Sequence, residues 1–131
     1  MEMPIAENLI QKPWGHERII AKTDKYVVKE IFVREGCRLS KQYHKEKVET
    51  MFLVHGAVTL LREGVMYLMK PMVPYLIAPL MAHRLIANQK SDALIVEVSS
   101  TELEDVVRLE DDYGREERNT TGSCSKGAEV C

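Results

Sequence analysis

The sequence predicts an all-β domain built as a sandwich or barrel, on three observations. Short β-rich runs bounded by turn residues recur between Tyr26 and Val98, at the ~8–12-residue spacing of packed antiparallel strands. No stretch between them carries the 3.6-residue apolar period of an amphipathic helix, which argues against a parallel βαβ sheet. The chain has 131 residues, 45% of them hydrophobic and 29% charged, enough for one domain with a real core.

Residues 1–25 are expected to form an N-terminal arm. Within it Lys12-Pro13-Trp14-Gly15 reads as an extended lead-in whose lone Trp covers one end of the core. Residues 26–115 hold the barrel and its closing segment. The first strand is Tyr26–Val33, rich in β-branched residues and stopped by Arg34-Glu35-Gly36. Thr50–Val54 runs to the turn at His55-Gly56, and Ala57–Leu61 follows. Arg62-Glu63-Gly64 turns the chain into Val65–Met69, and Val73–Ala78 and Ala93–Val98 complete the set. Residues 100–109 are more polar and are expected to form a short helix or an irregular return. From Glu116 to Cys131 the chain has little to bury and reads as a disordered tail.

Charge and composition narrow the partners. The net charge is −2 with both signs interleaved, so neither a nucleic-acid groove nor a membrane surface is expected. The N-terminus shows no basic region followed by an apolar run, and no apolar stretch approaches the ~20 residues of a membrane span. A cytoplasmic location is the expectation. The three cysteines, Cys37, Cys124 and Cys131, do not make a disulfide framework. Cys37 reads as a packed strand-end residue, and the Asn119-Thr120-Thr121 sequon as inert.

The segment Gly36–Gly56 carries the chemistry. Gln42 and His44 are two apart, so on a strand they point the same way. Glu49 enters from the next strand after a short turn, and His83 can face the same point from a neighbouring strand. Two imidazoles, a carboxylate and an amide oxygen suit one borderline divalent ion: Zn²⁺ first, with Mn²⁺, Fe²⁺, Ni²⁺ and Co²⁺ compatible. A Ca²⁺ site needs more oxygens. His16 and His55 fall outside this spacing and read as surface or satisfied residues.

Gly36, Gln42, His44, Glu49 and Gly56 match, without a gap, the first motif of the cupin superfamily, G-x5-[HQ]-x-H-x3–4-E-x6-G. The chain resembles in particular the cupin domain of type II mannose-6-phosphate isomerases and of bifunctional mannose-1-phosphate guanylyltransferases. The likeness includes Pro13-Trp14-Gly15, Val28-Lys29, His83-Arg84-Leu85 and the closing Arg108-Leu109-Glu110-Asp111-Asp112-Tyr113-Gly114-Arg115. It implies a double-stranded β-helix, or jelly-roll barrel, with one metal ion on Gln42, His44, Glu49 and His83. No nucleotidyltransferase segment is visible, so guanylyltransferase activity is not expected. Lys47 stands where these isomerases usually carry an arginine, replacing a bidentate fork by a point charge. Thr50-Met51 replaces the usual His-Trp, and Ala78-Pro79-Leu80 the usual Pro-x-Gly.

The resemblance implies aldose–ketose isomerisation of a sugar phosphate, by metal-assisted proton transfer. Glu97, which interrupts an apolar strand, is the candidate base, with pairing to Lys29 or an arginine as its alternative. Lys47 is assigned to catalysis, and Lys29 and Arg84 to the substrate; the alternative is that Lys29 reaches the barrel mouth with its stem packed and Arg84 pairs with an acid. Two other functions stay open: a non-catalytic sugar-binding cupin, and a small metal-dependent oxygenase or lyase. A homodimer is the expected assembly. The acidic residues Glu104-Asp105 and Glu110-Asp111-Asp112 are expected to be structural or solvated.

Overall fold

The structure of the protein, a computed structural model, describes residues 9–87, 90–102 and 105–115. The tail from Glu116, with the Asn119 sequon, Cys124 and Cys131, lies outside them, as does Glu104. The described residues form strands β1 (Leu9–Lys12), β2 (Gly15–Lys22), β3 (Val27–Val33), β4 (Lys41–His44), β5 (Glu49–Gly56) and β6 (Val58–Arg62). They continue as β7 (Val65–Leu68), β8 (Tyr75–Ile77), β9 (His83–Ala87), β10 (Ala93–Ser99) and β11 (Val106–Glu110). Two antiparallel sheets result, a six-stranded one in the order β1-β2-β3-β10-β5-β8 and a five-stranded one in the order β11-β4-β9-β6-β7. Among the described residues, no helix is long and apolar enough to cross a membrane.

Strand alternation divides the space between the sheets. Along β10, Ala93 and Ile95 face inward at one end and Glu97 and Ser99 at the other, all buried. On β5 the inward residues are Leu53, Met51 and then Glu49; on β9 they are Ala87, Leu85 and then His83. The apolar ends meet in a core with Trp14, Val33, Val58, Leu60 and Ile77. The polar ends meet above it. One strand thus supplies both the floor and the lining of the site.

Glycine allows two close approaches at the floor. A Cβ on Gly15 would lie 1.9 Å from the Phe32 carbonyl oxygen, and one on Gly56 1.9 Å from the Asp92 carbonyl oxygen. Gly56 also has φ +89°, a region costly for any side chain. The motif's closing glycine is therefore a backbone requirement of the β5–β10 ladder.

Two expectations change, and the packing of Trp14 and Cys37 holds. The N-terminal lead-in is a hairpin: β1 pairs with β2, and β2 with β3, extending the larger sheet. Residues 106–110, expected as helix or irregular return, form β11 and pair with β4. Trp14 and Cys37 are buried at 2% and 0% exposure, Trp14 against the core end.

Gly56→Ala is expected to destabilise the fold by more than about 2 kcal/mol, because both the φ and the contact are incompatible with a Cβ. Urea unfolding followed by Trp14 fluorescence measures it. Gly64→Ala, with nothing within 4 Å of its Cβ, is the milder control for positive φ alone.

Candidate metal centre

Register places the ligand candidates. Gln42 on β4 pairs with His83 on β9, so both project to the same side of the smaller sheet. His44, two residues on, shares that side. Glu49 opens β5 across the gap. The candidate donor atoms of His44, Glu49 and His83 all lie within 4.8 Å of one another, and all three residues are buried. His44 Nε2 is 3.7 Å from Glu49 Oε1, and His83 Nε2 is 3.2 Å from Glu49 Oε2.

The imidazoles are oriented from behind. His83 Nδ1 is 2.9 Å from the Met81 carbonyl oxygen, which can only accept, so Nδ1 carries the proton. His44 Nδ1 is 3.2 Å from Asp105 Oδ1, with the same consequence. Both Nε2 lone pairs then point at the Glu49 carboxylate. Two lone pairs facing an anion repel unless a cation lies between them. Burial also lowers the His44 pKa, the neighbouring Lys47 and His83 adding to it against Glu49 and Asp105, so the neutral ring is favoured. Glu49 Oε1 is buried with no hydrogen-bond partner. This donor set fits a divalent metal ion, with the hydrogen-bonded histidines typical of such sites.

A second charged layer adjoins the triad. Lys47 Nζ is 3.2 Å from both Glu49 Oε1 and Glu97 Oε2. These are ion-pair distances without hydrogen-bond geometry at either oxygen. Burial alone would lower the Lys47 pKa, but the two carboxylates outweigh it and push it up to about 12. Burial would raise Glu49, yet Glu97, His83 and Lys47 hold it well below the carboxylate range. Glu97 moves the other way: burial and the Glu49 charge raise it well above that range, only partly opposed by Lys47 and Lys29. Of two adjacent carboxyls, one is kept ionised and the other is pushed towards its neutral form.

The remaining site candidates divide. Gln42 lines the cavity, and its amide nitrogen donates to Ser40 Oγ at 2.7 Å. Lys29 lies directly across from Glu97 in the ladder but pairs with Glu17 at 3.3 Å; the partner of Glu97 is Lys47. Arg84 follows His83 on β9, so alternation turns its side chain away from the triad. Its Nε donates to the Leu39 carbonyl at 2.8 Å and Nη1 lies 3.4 Å from Glu110 Oε1. His16 stacks on Phe32 outside the site.

Asp105 is the residue that the sequence reading left as structural or solvated. Its Oδ2 accepts the backbone N–H groups of Glu46 at 2.7 Å and Lys47 at 3.0 Å. It thereby shapes the turn between His44 and Glu49 while Oδ1 orients His44. These bonds hold its pKa below the usual value despite some desolvation. Nothing in the sequence marked it, because the strand beside it that pairs with β4 read as a helix or irregular return.

Two packed sheets with the triad inside define a cupin. A cupin-2 domain from Rhodospirillum rubrum superposes with a TM-score of 0.67 at 8% identity, over 82% of this chain and 72% of that one. A cupin-superfamily sugar phosphate isomerase from Silicibacter pomeroyi gives 0.64 at 15% identity, over 74% and 66%. The family model "Mannose-6-phosphate isomerase C-terminal" matches residues 4–111, and the chain belongs to that family. It is 31% identical to the alginate biosynthesis protein AlgA of Pseudomonas aeruginosa over 109 residues, 81% of this chain and 23% of that protein. The mannose-1-phosphate guanylyltransferase ManC of Salmonella typhimurium is 34% identical over the same length and shares. The chain thus spans about a quarter of the curated relatives it matches.

Asp105→Asn is expected to weaken Zn²⁺ binding about 10–100-fold, and His83→Ala to remove stoichiometric binding; competition against a chromophoric chelator measures both. His44 and Glu49 move stability with pH in one direction. His44 titrates lower when folded than its unfolded value of about 6.5. Its contribution to stability is therefore complete above that value and is lost as pH falls through the folded pKa. Glu49, also depressed, adds a loss at still lower pH. Glu97, raised when folded, contributes in the opposite sense, so the metal-free Glu97→Gln variant should show the steeper fall of Tm as pH is lowered from neutral, and metal affinity should fall with pH because protons compete at Nε2.

Proposed function

We propose that this chain is a metal-dependent sugar-phosphate isomerase resembling mannose-6-phosphate isomerase. The observation that carries the reading is the pairing of a metal-ready His44–Glu49–His83 triad with a buried Glu97 of raised pKa, inside one cavity. Gln42 completes the ligand set through its carbonyl oxygen, and Zn²⁺ is the ion the donors favour. A divalent ion held there would polarise the carbonyl and adjacent hydroxyl oxygens of an α-hydroxy aldehyde. Glu97 moves the proton between the two carbons: a carboxyl with a raised pKa is the stronger base once ionised. Lys47 stands beside it, stabilising the ionised form and so lowering the cost of that state. Leu39, Met51 and Leu85 border the cavity and limit water around the reacting carbons.

Lys47 in the arginine's place also favours a second reading, a cupin that binds the sugar without turning it over. One experiment separates the two. The metal-loaded protein should interconvert mannose 6-phosphate and fructose 6-phosphate, and Glu97→Gln should lower kcat by about 10²–10⁴-fold with metal content unchanged. A metal-loaded protein that binds mannose 6-phosphate without turnover is the binding cupin.

We further propose a homodimer built on the outer face of the larger sheet. Val54, Leu76 and Val98 are exposed there, beside half-buried Val28, Phe52 and Val96, an apolar surface that an isolated sheet rarely leaves to water. Light scattering should give twice the 15.0 kDa chain mass, and Val98→Lys should return the monomer. A cytoplasmic location accords with the buried, reduced thiol of Cys37.

A further inference from the structure

Glu49 faces two kinds of partner at once. On one side are the Nε2 atoms of His44 and His83, at 3.7 Å from Oε1 and 3.2 Å from Oε2. On the other is the Lys47 ammonium, 3.2 Å from the same Oε1 that faces His44. The Lys47 and Glu49 side chains are only 5% and 2% exposed, so little water stands among these groups. A divalent ion taken up by the triad shares that carboxylate with the ammonium. Two cations on one buried carboxylate repel strongly, because the protein interior screens far less than water does.

Glu97 offers the ammonium a second place. Its Oε2 also lies 3.2 Å from Lys47 Nζ. Neither Glu49 Oε1 nor Glu97 Oε2 has a hydrogen-bond partner of proper geometry, so Nζ stands between the two carboxyls and is fully bonded to neither oxygen. The main chain beneath it is pinned. Lys47 N–H donates to Asp105 Oδ2 at 3.0 Å, and the next amide, of Val48, donates to Ser100 Oγ at 3.1 Å. The flexible four-carbon stem can still carry Nζ from one oxygen to the other, as a point charge with three donors. The planar fork of an arginine would bind both carboxyls together. Lysine at this position makes a choice between them possible.

We propose that Lys47 competes with the divalent ion for Glu49, and that binding of the ion displaces the ammonium onto Glu97. Lys47 is then a positioning residue: metal uptake and the placing of a positive charge beside Glu97 are one coupled event. The inference rests on the triad's binding a metal, and it holds whichever reaction the cavity supports. Such coupling is reciprocal. Whatever draws Lys47 to Glu97 tightens the metal, and loss of the Glu97 charge leaves Lys47 wholly on Glu49 and weakens it. A triad with a cation already beside its carboxylate binds metal less tightly than its donors allow.

Zn²⁺ affinity of the full chain, read by competition against a chromophoric chelator, tests the proposal without requiring turnover. Lys47→Met is expected to tighten Zn²⁺ about tenfold, and Glu97→Gln to weaken it about fivefold, with the stoichiometry at saturation unchanged. In the Lys47→Met background the Glu97→Gln substitution should shift the affinity less than about twofold, because its effect passes through Lys47. Lys41→Gln is the control for charge at a distance: Lys41 precedes Gln42 on β4, turned away by alternation, and lies 4.0 Å from Glu110. It should leave the affinity within about twofold of wild type, and the Lys47 effect should persist as salt is raised. If Lys47→Met does not fold, Lys47→Gln takes its place; if neither folds, Glu97→Gln alone decides. A folded Lys47 variant that binds Zn²⁺ no more tightly than wild type overturns the proposal. So does a Glu97→Gln effect of equal size with and without Lys47. Failure of the metal reading looks different: neither wild type nor any Lys47 variant takes up Zn²⁺.

Discussion

Burying the Glu49 carboxylate between two β-sheets sets the terms for the rest of the interior. Its side chain is 2% exposed, and a desolvated carboxylate costs several kcal/mol unless its charge is matched. Lys47 supplies one positive charge and must also serve Glu97. The two imidazoles answer the remaining charge only through a cation, because their protons are held on the far side by Asp105 and Met81. Removing any one partner would leave a charge unmatched in the others' low-dielectric surroundings.

The ladders make this arrangement possible. β5 and β10 are paired over their whole length, so Glu49 and Glu97 are held in a fixed offset and Lys47, in the preceding turn, reaches both. The pairing of Gln42 with His83 fixes the opposite wall, and Asp105 ties the turn from His44 to Glu49 into place. The site is built from the ends of paired strands with a single anchored turn, the kind of support that holds reacting groups within narrow limits. The apolar floor of Ile95, Leu53 and Leu85 keeps water from entering from below. Chemistry and fold share the same strands.

How much of this was legible follows from where each residue comes from. Gln42, His44 and Glu49 lie within one strand–turn–strand, so spacing alone could bring them together, and His83 sits in a strand with the right alternation. That alternation also turns Arg84 away, a consequence of its adjacency to His83. Asp105 reaches His44 only because β11 pairs with β4, a contact across 61 residues. The two segments misread as lead-in and return share a cause. β2 has a register break between Ile19 and Ala21, and β11 one between Arg108 and Glu110. A bulge interrupts the period of two on which strand recognition depends.

The central claim is that one divalent ion satisfies Glu49 and both imidazoles, and anomalous X-ray diffraction of Zn²⁺-soaked crystals at the zinc edge tests it most directly. The expected result is a single peak about 2.0–2.2 Å from His44 Nε2, His83 Nε2 and a Glu49 oxygen, with the Gln42 carbonyl oxygen turned towards it and a further position open. An empty triad at saturating Zn²⁺, with Lys47 alone balancing Glu49 and Glu97, would contradict the account.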